Sequence, residues 1–359
     1  MGPGPSDVHS RVLQAMARPT VGHLDPYFVE LMDDTKRLLK YAFKTDNELT
    51  FPVSAPGSAG METCFANLIE QGDKVIVLQN GVFGGRMKEN VVRMGGECIL
   101  QETPWGEAVQ PSALEELLND HDDVKIVAFV HAETSTGALS DAQALSKVAH
   151  KFGCLVIVDT VTSLAGSELL VDEWELDAVY SGSQKCLSCT PGISPVTFSQ
   201  RAINKIKSRK TPCQSWFLDL NLVMGYWGEA SKRSYHHTAP VNALYGFHES
   251  LVMLHEEGLE NSWKRHIEMH EKLIAGLESI GLKALVKKQD RIPQLNAVLF
   301  DSAIDEAAIR TKLLNQYDLE IGAGLGPFAG KIWRIGLMGT SASLSNVNHC
   351  INSLKSLLP

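Results

Sequence analysis

Along the chain, short apolar runs alternate with stretches whose apolar residues recur every three to four positions. The first pattern reads as buried strand and the second as helix. The strand-like runs are Leu49–Ser54, Lys74–Leu78, Glu97–Gln101, Val124–Glu133, Cys154–Asp159, Leu176–Tyr180 and Val196–Phe198. Helical spacing covers 8–17, 27–43, Met61–Glu70, a stretch ending near Met94, Pro111–Asn119, 142–152, Ala202–Arg209 and 241–281, the last broken at Gly258. Ser140-Asp141 can cap the start of 142–152, and Lys151-Phe152-Gly153 gives it a basic last turn and a glycine stop. Strands separated by helices imply an α/β fold with a mostly parallel central sheet flanked by helices. Residues 214–227, with Trp216, Phe217, Leu218, Leu220, Leu222, Tyr226 and Trp227, read as a core helix. After about residue 258 the pattern changes to strands at 283–287, 293–300, 318–321 and 331–337 and helices at 303–316 and 343–357. The expected organisation is a large domain over 1–257 and a smaller C-terminal α+β domain over 258–359.

Composition narrows the class. The 359 residues are 44% apolar and 21% charged, as in an ordinary globular protein. A net charge of −9 argues against nucleic acid as the main partner. No run approaches the ~18 apolar residues of a membrane helix. The start does not resemble a signal peptide, nor the end a peroxisomal address. Seven cysteines, mostly in apolar surroundings, suggest a reducing compartment, so the cytoplasm is the expected location. Cys186 and Cys189 form a single CxxC without a second pair, which reads as packed thiols and no metal site. His236 and His237, adjacent in an extended run, should face opposite ways and share no metal. His23, in the loop Gly22–Pro26, reads as a solvated histidine.

In parallel sheets the ligand lies beyond the carboxyl ends of the strands. Three runs end there on chemically useful residues: Val124–Glu133 leads into Thr134-Ser-Thr-Gly137, Cys154–Asp159 ends on a carboxylate, and Leu176–Tyr180 leads through a small-residue turn to Lys185. A lysine and an aspartate meeting in a crevice suit pyridoxal 5'-phosphate (PLP): the lysine forms a Schiff base, and the aspartate keeps the pyridine nitrogen protonated. Leu49–Ser54, then Ala55-Pro-Gly-Ser-Ala-Gly60, then a helix is an arrangement that points N–H groups at a phosphate. Phe83 follows a strand end, where its ring could lie on a cofactor or in the core. Arg334 interrupts the apolar strand Ile332–Leu337 and must find an anion there, which we read as a substrate carboxylate.

Gly2-Pro-Gly-Pro5, Ala59-Gly-Met-Glu62, Asn80-Gly-Val-Phe-Gly84, His131-Ala-Glu-Thr-Ser-Thr-Gly137, Val158-Asp-Thr-Val161, Ser181-Gly-Ser-Gln-Lys185, Tyr235-His-His-Thr238, Gly258-Leu-Glu-Asn-Ser-Trp263 and Arg334-Ile-Gly336 occur in this order over almost the whole chain. With them the sequence resembles the class V aminotransferases of PLP fold type I, in the alanine–glyoxylate / serine–pyruvate group. The resemblance implies Lys185 as Schiff-base lysine and proton shuttle, Asp159 on the pyridinium, Thr134 on the ring hydroxyl and Phe83 stacked on the ring. It implies Gly57, Ser58, Ala59 and Gln184 around the phosphate. Tyr235 and Thr238 would reach the cofactor of the partner subunit, making the active unit a homodimer. Gly2, Ser163 and Arg334 would line the substrate site.

Two departures stand out. Pro56 replaces a residue with an N–H in the phosphate turn, and the chain begins directly at the Gly-Pro-Gly-Pro segment, where relatives carry an arm that embraces the partner. The implied reaction moves the amino group of a small amino acid, alanine or serine, to glyoxylate or pyruvate. No second arginine is evident for a side-chain carboxylate. Ureidoglycine–glyoxylate, aspartate and aminoethylphosphonate transaminases are the related alternatives. A nicotinamide dehydrogenase would need a G-x-G-x-x-G after the first strand, and none is there.

Overall fold

A computed structural model describes residues 1–228 and 233–358. Its helices are α1 (Ser10–Met16), α2 (Pro26–Phe43), α3 (Gly57–Leu68), α4 (Val82–Arg93), α5 (Pro111–Asp120), α6 (Ala142–Lys151), α7 (Gln200–Lys207), α8 (Leu220–Trp227), α9 (Val241–Glu257), α10 (Leu259–Ser279), α11 (Glu306–Tyr317) and α12 (Leu344–Leu357). The strands are β1 (Leu49–Val53), β2 (Lys74–Gln79), β3 (Glu97–Glu102), β4 (Val124–Val130), β5 (Ala132–Glu133), β6 (Ala138–Leu139), β7 (Leu155–Asp159), β8 (Ala178–Tyr180), β9 (Ser194–Phe198), β10 (Lys283–Ala284), β11 (Leu295–Leu299), β12 (Gly322–Ala323) and β13 (Ile332–Gly336).

Seven strands form one sheet in the order β1-β9-β8-β7-β4-β2-β3. Only β9 runs against its neighbours; the other pairings are parallel. Helices on both faces bury the central strands completely, as at Val75–Leu78, Ile126–Phe129 and Val156–Val158. That two-sided burial is why these strands read as continuous apolar runs rather than alternating ones. A second, antiparallel sheet runs β10-β11-β13-β12 and has its own core, which includes Leu273, Val298, Leu313, Trp333 and Leu354. Gly258, at φ 84°, separates α9 from α10 as its position in the periodicity suggested. Helix α10 contributes Leu259 and Trp263 to the first core and Met269 and Leu273 to the second. Among the described residues, no helix is long and apolar enough to cross a membrane.

Several expectations shift. The run Val124–Glu133 ends as a sheet strand at Val130, and Ala132–Glu133 instead forms a small hairpin with Ala138–Leu139. The strand expected at 318–321 falls on Gly322–Ala323, because Asp318 closes α11 in a left-handed conformation (φ 50°) and the chain extends only beyond it. The core helix expected over 214–227 is limited to α8. Asp219 caps it, and Leu220, Val223, Tyr226 and Trp227 are buried, but Trp216 and Leu222 are 64% and 41% exposed.

Candidate functional site

Asp159 closes β7, and Tyr180, the last residue of β8, is its register partner. Asp159 is only 3% exposed. Its Oδ1 accepts the Val161 N–H at 2.8 Å, and its Oδ2 accepts the Tyr180 O–H at 2.8 Å. Burial lifts its pKa to about 7, against the pull of those two donors and of Lys185; Glu133 adds to the lift.

Lys185 follows β8 in a turn closed by the Ser188 N–H on the Lys185 carbonyl at 3.0 Å. Burial lowers its pKa to about 8; the nearby Arg334 also lowers it, while Cys186 and Asp159 oppose. The N-terminal segment, expected only as an extended lead-in, lies directly against this lysine. The Lys185 ammonium donates to the Pro3 carbonyl. Ser6 donates its N–H to the Gln184 carbonyl at 2.8 Å and its hydroxyl to the Lys185 carbonyl at 2.7 Å. A Cβ on Gly4, which sits at φ 102°, would fall on Lys185 Nζ. At the other end of the segment the Gly336 N–H donates to the Met1 carbonyl at 2.7 Å, and a Cβ on Gly336 would strike the Gly2 carbonyl. Gly2 is thereby held beside the strand that carries Arg334.

Arg334 is 9% exposed on β13. Its Nε donates to the Ala323 carbonyl at 2.7 Å and one terminal nitrogen to the Thr134 carbonyl at 3.2 Å. Burial lowers its pKa, and Glu133 opposes that shift. Among the described residues no carboxylate lies within ion-pair distance of it. An internal ion pair, the plain alternative for a buried arginine, is therefore not what holds it.

Sequence reasoning named Glu133 only as part of a motif. It is fully buried, and both its oxygens face donors: Oε1 accepts the Ser135 N–H at 2.9 Å and hydroxyl at 2.6 Å, and Oε2 accepts the Phe83 N–H at 3.2 Å. Burial raises its pKa. Gly81, at the cap of α4, has no side chain to serve that helix, and Glu133 takes the place of one; a Cβ on Gly81 would overlap the Glu133 carboxyl. Phe83 is thus the second residue of α4, anchored through its own N–H, with the Arg86 guanidinium 4.8 Å from its ring centroid. Only the three-dimensional pairing of 131–135 with 81–84 reveals this link.

Helix α3 begins at Gly57 with Pro56 as its cap and no capping side chain. The Ala59 N–H turns back to the Pro56 carbonyl at 2.7 Å, and the N–H groups of Gly57 and Ser58 have no intrahelical acceptor. Pro56 occupies the cap position, so its missing N–H removes none of the helix's own donors. Gln184 closes over Gly182, and its buried Oε1 has no partner. Ser163 is fully buried, with its hydroxyl 2.9 Å from His131 Nδ1; burial lowers His131 to about 4, which leaves it neutral.

Tyr235 is 61% exposed, and its hydroxyl lies 3.1 Å from the Thr238 hydroxyl. Two histidines sit otherwise than the sequence suggests. The Nδ1 atoms of His236 and His237 are 2.8 Å apart, not on opposite faces, because the chain bends at His237, whose Nε2 lies 2.8 Å from the Ser54 hydroxyl. No group of potential metal ligands occurs among the described residues. His23 is only partly solvated: its ring centroid is 4.9 Å from that of Tyr235, and its Nε2 is buried without a partner.

The arrangement sets a half-buried lysine that is partly neutral near neutral pH beside a buried carboxylate, a buried arginine free to take an anion, and an uncapped helix start. The family model for class V aminotransferases matches residues 6–333. An alanine–glyoxylate aminotransferase of Drosophila melanogaster is 36% identical, over 99% of this chain and 90% of its own length. A (S)-ureidoglycine–glyoxylate transaminase of Bacillus subtilis is 35% identical, over 100% of this chain and 90% of its own. The crystal structure of an alanine–glyoxylate aminotransferase from Nostoc sp. superposes with a TM-score of 0.97 at 44% identity, covering 100% of this chain and 94% of that one. The fold type I architecture follows from that superposition. The chain belongs to the class V aminotransferase family, whose members depend on PLP, and is an aminotransferase.

Proposed function

We propose that the chain carries PLP on Lys185 and works as a homodimer that passes the amino group of alanine or serine to glyoxylate or pyruvate. The observation that carries this reading is Arg334, a buried guanidinium fixed by two backbone carbonyls and left without a carboxylate, near both Lys185 and the buried Asp159.

The residues fit the cofactor. Asp159 is a buried carboxylate that suits a protonated ring nitrogen. The free N–H groups of Gly57 and Ser58 suit the phosphate, with Ala59 completing the first turn, and Gln184 would serve it only through its amide N–H2, not through the unpartnered oxygen. Thr134 serves the ring hydroxyl and Phe83 the ring face. Tyr235 and Thr238, exposed as a pair, suit the phosphate held by a partner subunit.

When bound, PLP supplies an electrophilic carbon for the amine and a sink for the electrons of the Cα carbanion. Arg334 takes the amino acid's carboxylate in a charge-assisted contact, with Gly2 beside it, which fixes the Cα–H direction. Lys185 Nζ, brought to about 8 by burial, is partly unprotonated at neutral pH and removes the Cα proton. Asp159 keeps the proton on the ring nitrogen. Ser163 supports the wall of the site through His131. The seven cysteines are free, which supports a reducing compartment such as the cytoplasm.

Glyoxylate appears in the names of both relatives, which supports it as the acceptor; the donor is where those relatives differ. Ureidoglycine as donor is the second reading, favoured by a relative at nearly the same identity. The visible spectrum of the purified protein decides between them, with L-alanine, L-serine, L-aspartate or ureidoglycine added singly and no acceptor present. Bleaching of the yellow band by alanine or serine supports the proposal. Bleaching by ureidoglycine or aspartate alone replaces the donor. A protein that stays colourless after incubation with PLP overturns the cofactor reading.

A further inference from the structure

Tyr180 is fully buried at the end of β8, in register with Asp159 on β7. In a parallel pair this puts the two side chains on the same face at the same depth. Helix α3 packs behind it: a Cβ on Gly60 would lie 3.3 Å from the Tyr180 Cβ. The fully buried side chain stands close against α3, and its hydroxyl donates to Asp159 Oδ2 at 2.8 Å.

We infer that Tyr180 is a positioning residue for transamination, holding the Asp159 carboxylate ionised and in one orientation through the hydrogen bond from its hydroxyl. The inference rests on the reading of Asp159 as the partner of the cofactor's ring nitrogen. A buried carboxylate is costly to ionise, and each direct donor offsets part of that cost. Asp159 has two direct donors, and of these the Val161 N–H belongs to the backbone. Tyr180 is the side-chain donor, so it is the position at which substitution changes the basicity of Asp159 without moving the chain.

The other groups facing Asp159 do not substitute for it. Glu133 pushes Asp159 toward its neutral form, Lys185 pulls it toward the anion, and Cys64 on α3 faces it as a buried thiol. The phenol keeps its own proton, because burial and the neighbouring Asp159 both raise the pKa of Tyr180. It is therefore a donor at every pH at which the enzyme works.

The test is Tyr180→Phe, which keeps the ring and deletes the hydroxyl. Two quantities are read: the Kd for PLP, from quenching of tryptophan fluorescence in the cofactor-free protein, and the acid limb of kcat/KM for the amino donor. A hydrogen bond to a charged group supports a weakening of PLP binding by about tenfold and a rise of the acid limb by about one pH unit. A Kd and a pH profile equal to wild type overturn the inference, even if the melting temperature falls, because a purely structural tyrosine would move only the latter. Incorporation of 3-fluorotyrosine at position 180, which keeps ring and hydroxyl and strengthens the donor, covers the case in which Tyr180→Phe does not fold. The acid limb then moves to lower pH, and an unmoved limb overturns the inference. Wild type that takes up no PLP overturns the cofactor reading along with this one; wild type that binds PLP beside an unchanged variant overturns this one alone.

Discussion

Lys185 is half-buried and Arg334 buried, yet desolvation serves the two cations differently. For Lys185, burial lowers the pKa to about 8 and makes a base of it. For Arg334, the guanidinium stays charged and waits for an anion. Lys185→Ala should therefore abolish transamination, by at least ~10³-fold in kcat, since both the covalent anchor and the proton carrier are lost. Substantial remaining turnover would refute the assignment. Arg334→Ala should raise KM for the amino acid on the order of tenfold to a hundredfold while leaving PLP retention nearly unchanged; an unchanged KM would remove the carboxylate clamp. Asp159 allows a sign test. Its folded pKa, about 7, is above that of an unfolded aspartate, near 3.9. Between those values the folded state binds the extra proton, so this residue's contribution to stability is greatest at low pH and is lost as pH rises through 7. In the cofactor-free protein, Asp159→Asn should raise the melting temperature clearly at pH 8 and by much less at pH 5, where most of the wild-type contribution is still present. A wild type more stable than the variant at pH 8 would contradict the burial argument.

At the level of elements, the strand ends were legible and the contacts between distant segments were not. Asp159 and Lys185 follow apolar runs directly, so one strand-to-turn rule places both. Tyr180 ends such a run too, but a tyrosine after Ala178-Val179 looks like core, and its bond to Asp159 depends on β7 and β8 pairing in register. Glu133 serves α4, about fifty residues away in sequence. His23 and His237 looked solvated or extended because Tyr235 and Ser54, their neighbours, come from other parts of the chain. The N-terminal segment is the largest such case. Proline and glycine marked Gly2–Pro5 as irregular, but only the structure shows it seated on Lys185 between Gln184 and β13. Gly4→Ala should tell how much that seat matters. The added Cβ falls on Lys185 Nζ at a backbone φ of 102°, which disfavours any side chain. The variant should lose PLP loading, seen as a weaker visible band per subunit. Its far-ultraviolet circular dichroism should be unchanged, because the first seven residues lie outside every helix and strand. Full loading in the variant would mean that the segment yields freely.

For the whole molecule, the question is what covers the face around Tyr235. Trp216 and Tyr235 are more than half exposed, and the aromatics beside them stack on one another: Trp216 lies 4.6 Å from His236 at an interplanar angle of 11°. An apolar face of this kind, flanking two residues read as ligands for another subunit's cofactor, fits an isologous dimer in which each site needs both chains. Mixing two inactive variants tests this directly. In Lys185→Ala every site lacks its lysine. In Tyr235→Ala/Thr238→Ala every site lacks the two groups lent by the neighbour. If sites are shared, a heterodimer of the two holds one site with an intact lysine from one chain and intact Tyr235 and Thr238 from the other, while its second site carries both lesions. Random reassortment makes half the dimers mixed, each with one of its two sites intact, so activity should recover to about a quarter of wild type per subunit. If Tyr235 and Thr238 instead serve the site of their own chain, each lysine-bearing subunit keeps its own lesion. Mixing then gives no more than the average of the two parents.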